Sequence, residues 1–159
     1  MKTLVWIACC LSLVACQQNK NTDSDSTITV DYEDTVVNEL SIEGNWEMTG
    51  YYNYKDDKVV DSFATDAGHR QIKMYSKDKV MWCKLVPADS SEWFAYGTFK
   101  TTDSTLVETM DFGSQTMNNI IAENNEFKFR LVLDNNKFSQ IAVDESGHFV
   151  YSENYKRIK

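Results

Sequence analysis

"GNWEMTGYY", residues 44–52, decides the fold. Trp46, Met48, Gly50 and Tyr52 alternate with Asn45, Glu47, Thr49 and Tyr51, so one set faces a core and the other faces water. A period of two is that of a half-buried β-strand. The same period recurs along the chain. In "RQIKMY", residues 70–75, Ile72 and Met74 alternate with Gln71 and Lys73, which assigns Arg70, Ile72 and Met74 to the inner face. In "LVETMDF", residues 106–112, Leu106, Glu108, Met110 and Phe112 share a face. In "FKFRLVL", residues 127–133, four apolar side chains alternate with Lys128, Arg130 and Val132.

Turn-forming clusters separate these runs: 76–79, 101–104, 134–137 and 144–147. Asn135-Asn136 suits the positive φ angles of a tight hairpin. Pro87 follows Val86 and ends a strand, where its missing N–H costs little. The reading gives strands near 43–54, 58–64, 69–76, 79–86, 92–101, 104–112, 125–134, 136–143 and 147–158, the second being weak. Residues 113–124 are the least regular and form a loop or a short helical turn over one mouth. Short links between successive strands imply a meander. Eight or nine meandering strands shed their exposed edges by closing, so the fold class is all-β, an up-and-down antiparallel barrel over 41–159.

Outside the barrel the composition changes. Residues 16–40 are rich in Asn, Thr, Asp and Ser, with little to bury, and read as a disordered acidic linker. A flexible coil of that length spans roughly 25–30 Å. Before it, Lys2 precedes an apolar run, residues 4–15, too short to cross a bilayer. A basic start, a short apolar core and small residues before a cut describe a signal peptide over 1–15. Leu13-Val14-Ala15-Cys16 resembles the lipobox of bacterial lipoprotein signals, which implies a lipid anchor on Cys16. Because Gln17 is not the aspartate that retains such proteins at the inner membrane, the resemblance favours the outer membrane.

The net charge of −8 argues against nucleic acid, whose phosphates require basic patches. Signal removal and lipidation leave Cys83 as the remaining cysteine, expected as a buried packing residue. His69 and His148 make no metal signature. No nucleotide loop, Ser-His-Asp set or other cofactor or catalytic motif occurs, so an enzyme is not expected. A monomer is expected.

Gly44-Asn45-Trp46 at the head of the first strand resembles the G-x-W motif of lipocalins, and Arg157 resembles the arginine that packs over that tryptophan. Gly97-Thr98-Phe99, Val107-Glu108-Thr109 and Glu153-Asn154-Tyr155-Lys156-Arg157 follow in the order of the small lipocalin-like domains of bacterial lipoproteins. The Thr-Asp-Tyr motif of larger lipocalins is absent. The resemblance implies a β-barrel closed at one end by Trp46 and Arg157, with a role in holding a small, partly apolar molecule.

The inward charges are the candidate site. Alternation puts Arg70, Glu108 and Glu153 inside, the last with Phe149, Tyr151, Tyr155 and Arg157. Buried charges need partners. One reading has Arg70, Glu108, Glu153 and Arg157 satisfy one another. The other makes Arg70, Glu108, Tyr151, Glu153 and Tyr155 a polar pocket floor that fixes a ligand's head group. A barrel filled by Trp46, Tyr52, Phe99, Phe112, Phe127, Phe129, Phe149 and Tyr155, acting through its surface, is the alternative to a ligand binder. Both faces of 79–86 are apolar, so one surplus face is left for a partner or an overlying segment.

Overall fold

A computed structural model describes residues 40–65, 69–86 and 92–159. Residues 1–39, with Cys16 and most of the linker, lie outside the described residues, as does Pro87. Nine strands follow in order: β1 (Gly44–Lys55), β2 (Lys58–Ala64), β3 (Arg70–Ser76), β4 (Lys79–Leu85), β5 (Trp93–Thr101), β6 (Thr105–Gly113), β7 (Glu126–Leu133), β8 (Lys137–Val143) and β9 (Phe149–Ile158). Among the described residues one helix, α1 (Gln115–Glu123), sits between β6 and β7. All pairings are antiparallel, and β9 pairs back onto β1 to close the ring.

The ring has eight members, because β2 stands outside it. One edge of β1 is shared: Gly44–Glu47 pair with β3 and Gly50–Lys55 pair with β2. β1 and β2 thus form a hairpin whose second strand is exposed along its whole length. Its turn carries the positive φ angles, 51° at Asp56 and 58° at Asp57. This two-residue geometry matches the right-handed twist of its strands. Asn135 and Asn136, expected to have such angles, do not; the 134–137 turn closes through Asp134 N–H to Lys137 O at 2.8 Å.

The core gathers at the end where β1 begins and β9 finishes. Trp46 meets Phe138 edge-on at 4.8 Å, and Phe138 stacks on Tyr155 at 4.5 Å. Tyr75 packs against Phe99 at 4.9 Å. Trp46 is fully buried and its indole N–H donates to Ile42 O at 2.7 Å. Arg157 lies over the Trp46 ring with its guanidinium carbon 4.0 Å from the centroid. It donates to Asn135 O at 2.7 Å, Ser41 O at 2.8 Å and Glu43 O. Gly44 makes room for it: a Cβ there would fall 2.5 Å from Arg157 Nη1, and the glycine's φ is +127°. A side chain at that position would therefore push the guanidinium off the ring.

Within the ring three β-bulges reset the alternation among the described residues; a fourth, at Val60, lies on β2. Thr49 is an extra residue on β1 opposite β9, so Tyr51 turns to the face of Tyr151, stacking on it at 5.3 Å, and Tyr52 turns outward. Asp111 is extra on β6 opposite β5, which leaves Phe112 53% exposed. Val150 is extra on β9 opposite β8, and Phe149 packs edge-on to Tyr54 and under Arg130 instead of joining the core. Tyr52, Phe112 and Phe149, assigned inward from a strict period of two, are corrected on these grounds.

β4 settles its ambiguity. Val80 and Trp82 face in; Met81, Cys83 and Leu85 face out. Cys83, expected in the core, is exposed. Outside, Met74, Met81, Tyr96 and Phe112 stand side by side across four strands.

Candidate ligand-binding cavity

In β3 the inner face is the polar one. Gln71, Lys73 and Tyr75 are buried, while Ile72 is half-buried and Met74 exposed on the other side. Arg70, assigned inward beside them, points out instead. Its side chain is 55% exposed and pairs with Glu47 at 2.8 Å. That contact, with Lys156 at 3.3 Å from the same carboxylate, holds Glu47 below the usual carboxylate range.

The buried cation is Lys73. The side chains of Lys73 and Glu108 are each 3% exposed. Lys73 Nζ donates to both Glu108 oxygens at 2.9 Å and to Gln140 Oε1 at 2.7 Å. Three donors meet three acceptor atoms, so the ammonium is saturated. Tyr75 OH adds a 2.5 Å bond to Glu108 Oε1. Burial first, and then the Glu108 charge, pushes the Tyr75 phenol well above its usual range, which keeps it a donor. The expected mutual pairing of Arg70, Glu108, Glu153 and Arg157 is therefore replaced. Glu108 is matched by Lys73, Arg70 by Glu47, and Arg157 by backbone carbonyls and Trp46.

Glu153 organises the second half of the floor. Its Oε2 accepts from Gln140 Nε2 at 2.8 Å, Gln71 Nε2 at 3.2 Å and Tyr155 OH at 2.6 Å. Gln71 Nε2 also donates to Tyr155 OH at 2.8 Å. Tyr155 is buried beneath this network and lines no part of the cavity; it positions Glu153. Its phenol is held well above the usual range by burial and then by Glu153.

Above the floor is a cavity of about 210 Å³. Trp82, Trp93, Phe127, Phe129 and Tyr151 form aromatic wall, and Met117 and Ile120 of α1 complete it. Burial, then Glu153, pushes the Tyr151 phenol up to about 12. α1 is set there by its caps: Ser114 Oγ accepts from Met117 N–H at 3.4 Å, and Asn118 Oδ1 accepts from Gly113 N–H at 2.7 Å. The irregular segment 113–124 thus supplies a wall of the cavity.

Lys73, Gln71, Gln140, Trp82 and Trp93 join the site without having been expected there. A signal for Lys73 existed. Glu108 inward demands a cation, and testing the opposite phase of β3 offers one.

Glu153, Glu108 and Tyr151 come together at the cavity, Tyr155 lies under it, and Arg70 lies outside it. This geometry defines a lipocalin-like barrel. A lipocalin-like protein from Bacteroides uniformis ATCC 8492 superposes with a TM-score of 0.52 at 9% identity, covering 73% of this chain and 97% of that one. An uncharacterized protein from Bacteroides eggerthii DSM 20697 superposes with a TM-score of 0.50 at 16% identity, covering 74% and 100%. Neither a protein-family model nor a curated protein matches the chain.

Proposed function

We propose that this protein is a lipid-anchored binding protein of the cell envelope that holds a small, partly apolar molecule in its barrel and performs no chemistry on it. The observation that carries this reading is the cavity itself. The ring is not filled: about 210 Å³ remains between an aromatic wall and a hydrogen-bonded polar floor. That is room for roughly seven water molecules, below the roughly 300–1,000 Å³ of drug-sized sites. The ligand is accordingly small. Its recognition follows the usual division, apolar walls for affinity and a few fixed polar groups for orientation.

The test is a titration with benzyl alcohol, a small neutral apolar probe, read by the fluorescence of Trp82 and Trp93. Saturable quenching is expected, and Ile120→Trp, which fills the wall of the cavity, should abolish binding with the fold intact by circular dichroism. Unchanged fluorescence in the wild type, or equal binding by the variant, would reject the cavity as a binding site.

The anchor rests on Leu13-Val14-Ala15-Cys16. Two or three acyl chains on Cys16 hold a protein at a membrane where one is marginal, and Gln17 favours the outer membrane. Metabolic labelling with a palmitate analogue should mark the wild type and not Cys16→Ser. Equal labelling of both would remove the anchor.

A further inference from the structure

The ligand's polar group can be read from which floor atoms the protein leaves unengaged; this inference rests on the binding reading above. All three hydrogen bonds accepted by Glu153 fall on Oε2. Its Oε1 accepts none among the described residues, and neither does Gln71 Oε1, while Gln71 Nε2 is used twice. No buried side-chain oxygen or nitrogen among the described residues lacks a partner, so these two oxygens are not sealed in. Both belong to cavity-lining residues. By contrast Lys73, Glu108 and Gln140 are engaged with one another and with Tyr75. The floor offers acceptors, and the charge-bearing one is a carboxylate oxygen.

A second cation lines the same cavity. Lys84 also lines the cavity, directly across the β3–β4 ladder from Gln71. It has no ion pair among the described residues, although Glu153 lines the same space. Counting lining charges, Lys73 and Lys84 balance Glu108 and Glu153, two against two. Because Lys73 and Glu108 neutralise each other, one open carboxylate oxygen and one open ammonium remain for a ligand.

We propose that the cavity takes a small zwitterion with an apolar body, of the class of free aromatic or branched amino acids. The ligand's ammonium meets Glu153 Oε1 and Gln71 Oε1, its carboxylate meets Lys84 Nζ, and its side chain lies against Trp82, Trp93 and Phe127. A purely cationic ligand would leave Lys84 facing a like charge, and a purely anionic one would face Glu153. Both mismatches are costly where water is scarce. Aromatic walls also attract the ammonium end through their ring faces.

The experiment compares L-phenylalanine with phenethylamine, which lacks the carboxylate, and 3-phenylpropionate, which lacks the ammonium, each titrated calorimetrically with benzyl alcohol as the neutral reference. Phenylalanine should bind at least tenfold more tightly than either single-charge analogue. Glu153→Gln and Lys84→Met should each lower the affinity for phenylalanine at least tenfold more than they lower that for benzyl alcohol. That reference also shows that the variants remain folded. Analogues binding as well as phenylalanine would overturn the proposal, as would variants that keep full affinity for it. Binding of benzyl alcohol alone overturns the zwitterion and leaves the cavity reading standing; binding of none of the four overturns both.

Discussion

At the closed end of the barrel, Trp46, Val80, Phe99 and Phe138 fill the ring with apolar bulk and Arg157 caps it. Toward the other end β3, β6, β8 and β9 turn Gln71, Lys73, Glu108, Gln140 and Glu153 inward. The closed end is held by dispersion and exclusion of water, so its energy is spread over many contacts. The cavity end is held by a few matched polar groups in a poorly hydrated space, where each bond is strong and each missing partner is costly. One barrel thus contains a tolerant half and an exacting half.

That contrast can be broken by mutation. Large losses are expected at both ends; at the closed end Trp46→Ala removes a fully buried indole and should cost about 3–5 kcal/mol. A urea titration checks it, and an unchanged midpoint would mean that the cap carries no stability. At the polar end, Lys73→Met strands Glu108 and should cost about 3–5 kcal/mol, whereas Lys73→Met with Glu108→Leu should recover most of that, because an apolar replacement for a buried pair is often neutral. Glu108→Gln should destabilise as well, leaving Lys73 underpaired. Equal losses in the single and double variants would show that the pair's value lies in shape rather than charge.

The smallest effect belongs to neither half. The β1–β2 turn is tied to the β8–β9 turn by Asp57, which pairs with His148 Nδ1 at 2.9 Å and accepts from Phe149 N–H at 2.8 Å. The hydrogen bond and charge of Asp57, with Asp144 and Asp56 adding to them, raise His148 above its ordinary 6.5. The Phe149 N–H, then His148, hold Asp57 below its ordinary 3.8. A raised histidine stabilises below its unfolded value and is lost as pH rises through the folded one. A lowered aspartate stabilises above its unfolded value and is lost as pH falls through the folded one. The tie is therefore fully formed between about pH 4 and 6.5. Amide exchange at Phe149 should be slowest, relative to intrinsic rates, in that window. A flat protection profile, or the same profile in Asp57→Asn, would sever the link.

The ring was legible from sequence because strand alternation needs no long-range knowledge: 106–110 and 127–133 face as their periodicity says. The inner face of β3 was not. A period of two separates two faces without naming the inner one, and the rule that apolar residues go inside picked Ile72 and Met74. The polar face wins because partners arrive from afar. Glu108, Gln140 and Glu153 lie 35, 67 and 82 residues from the β3 atoms they bind. Their matched bonds offset desolvation that Lys73 alone would suffer. The bulges at Thr49, Asp111 and Val150 escaped for a similar reason: an extra residue is defined against the neighbouring strand, not within its own. Trp46 and Arg157 were the readable part of the closed end, since the motif fixes their spacing from the chain's own strands.

The seam between β1 and β9 joins distant parts of the chain. Thr49 Oγ1 donates to Asn154 O across 105 residues, and the same last strand brings Glu153 to the cavity floor, Tyr155 to the core and Arg157 to its place over Trp46. While residues 149–158 are still being delivered, the first strand has no partner on that edge. Neither end of the barrel is finished. Contacts of such separation make folding slow compared with helical domains of the same size. The cap and the pocket, so different in their chemistry, both need the same ten residues of β9 to be complete.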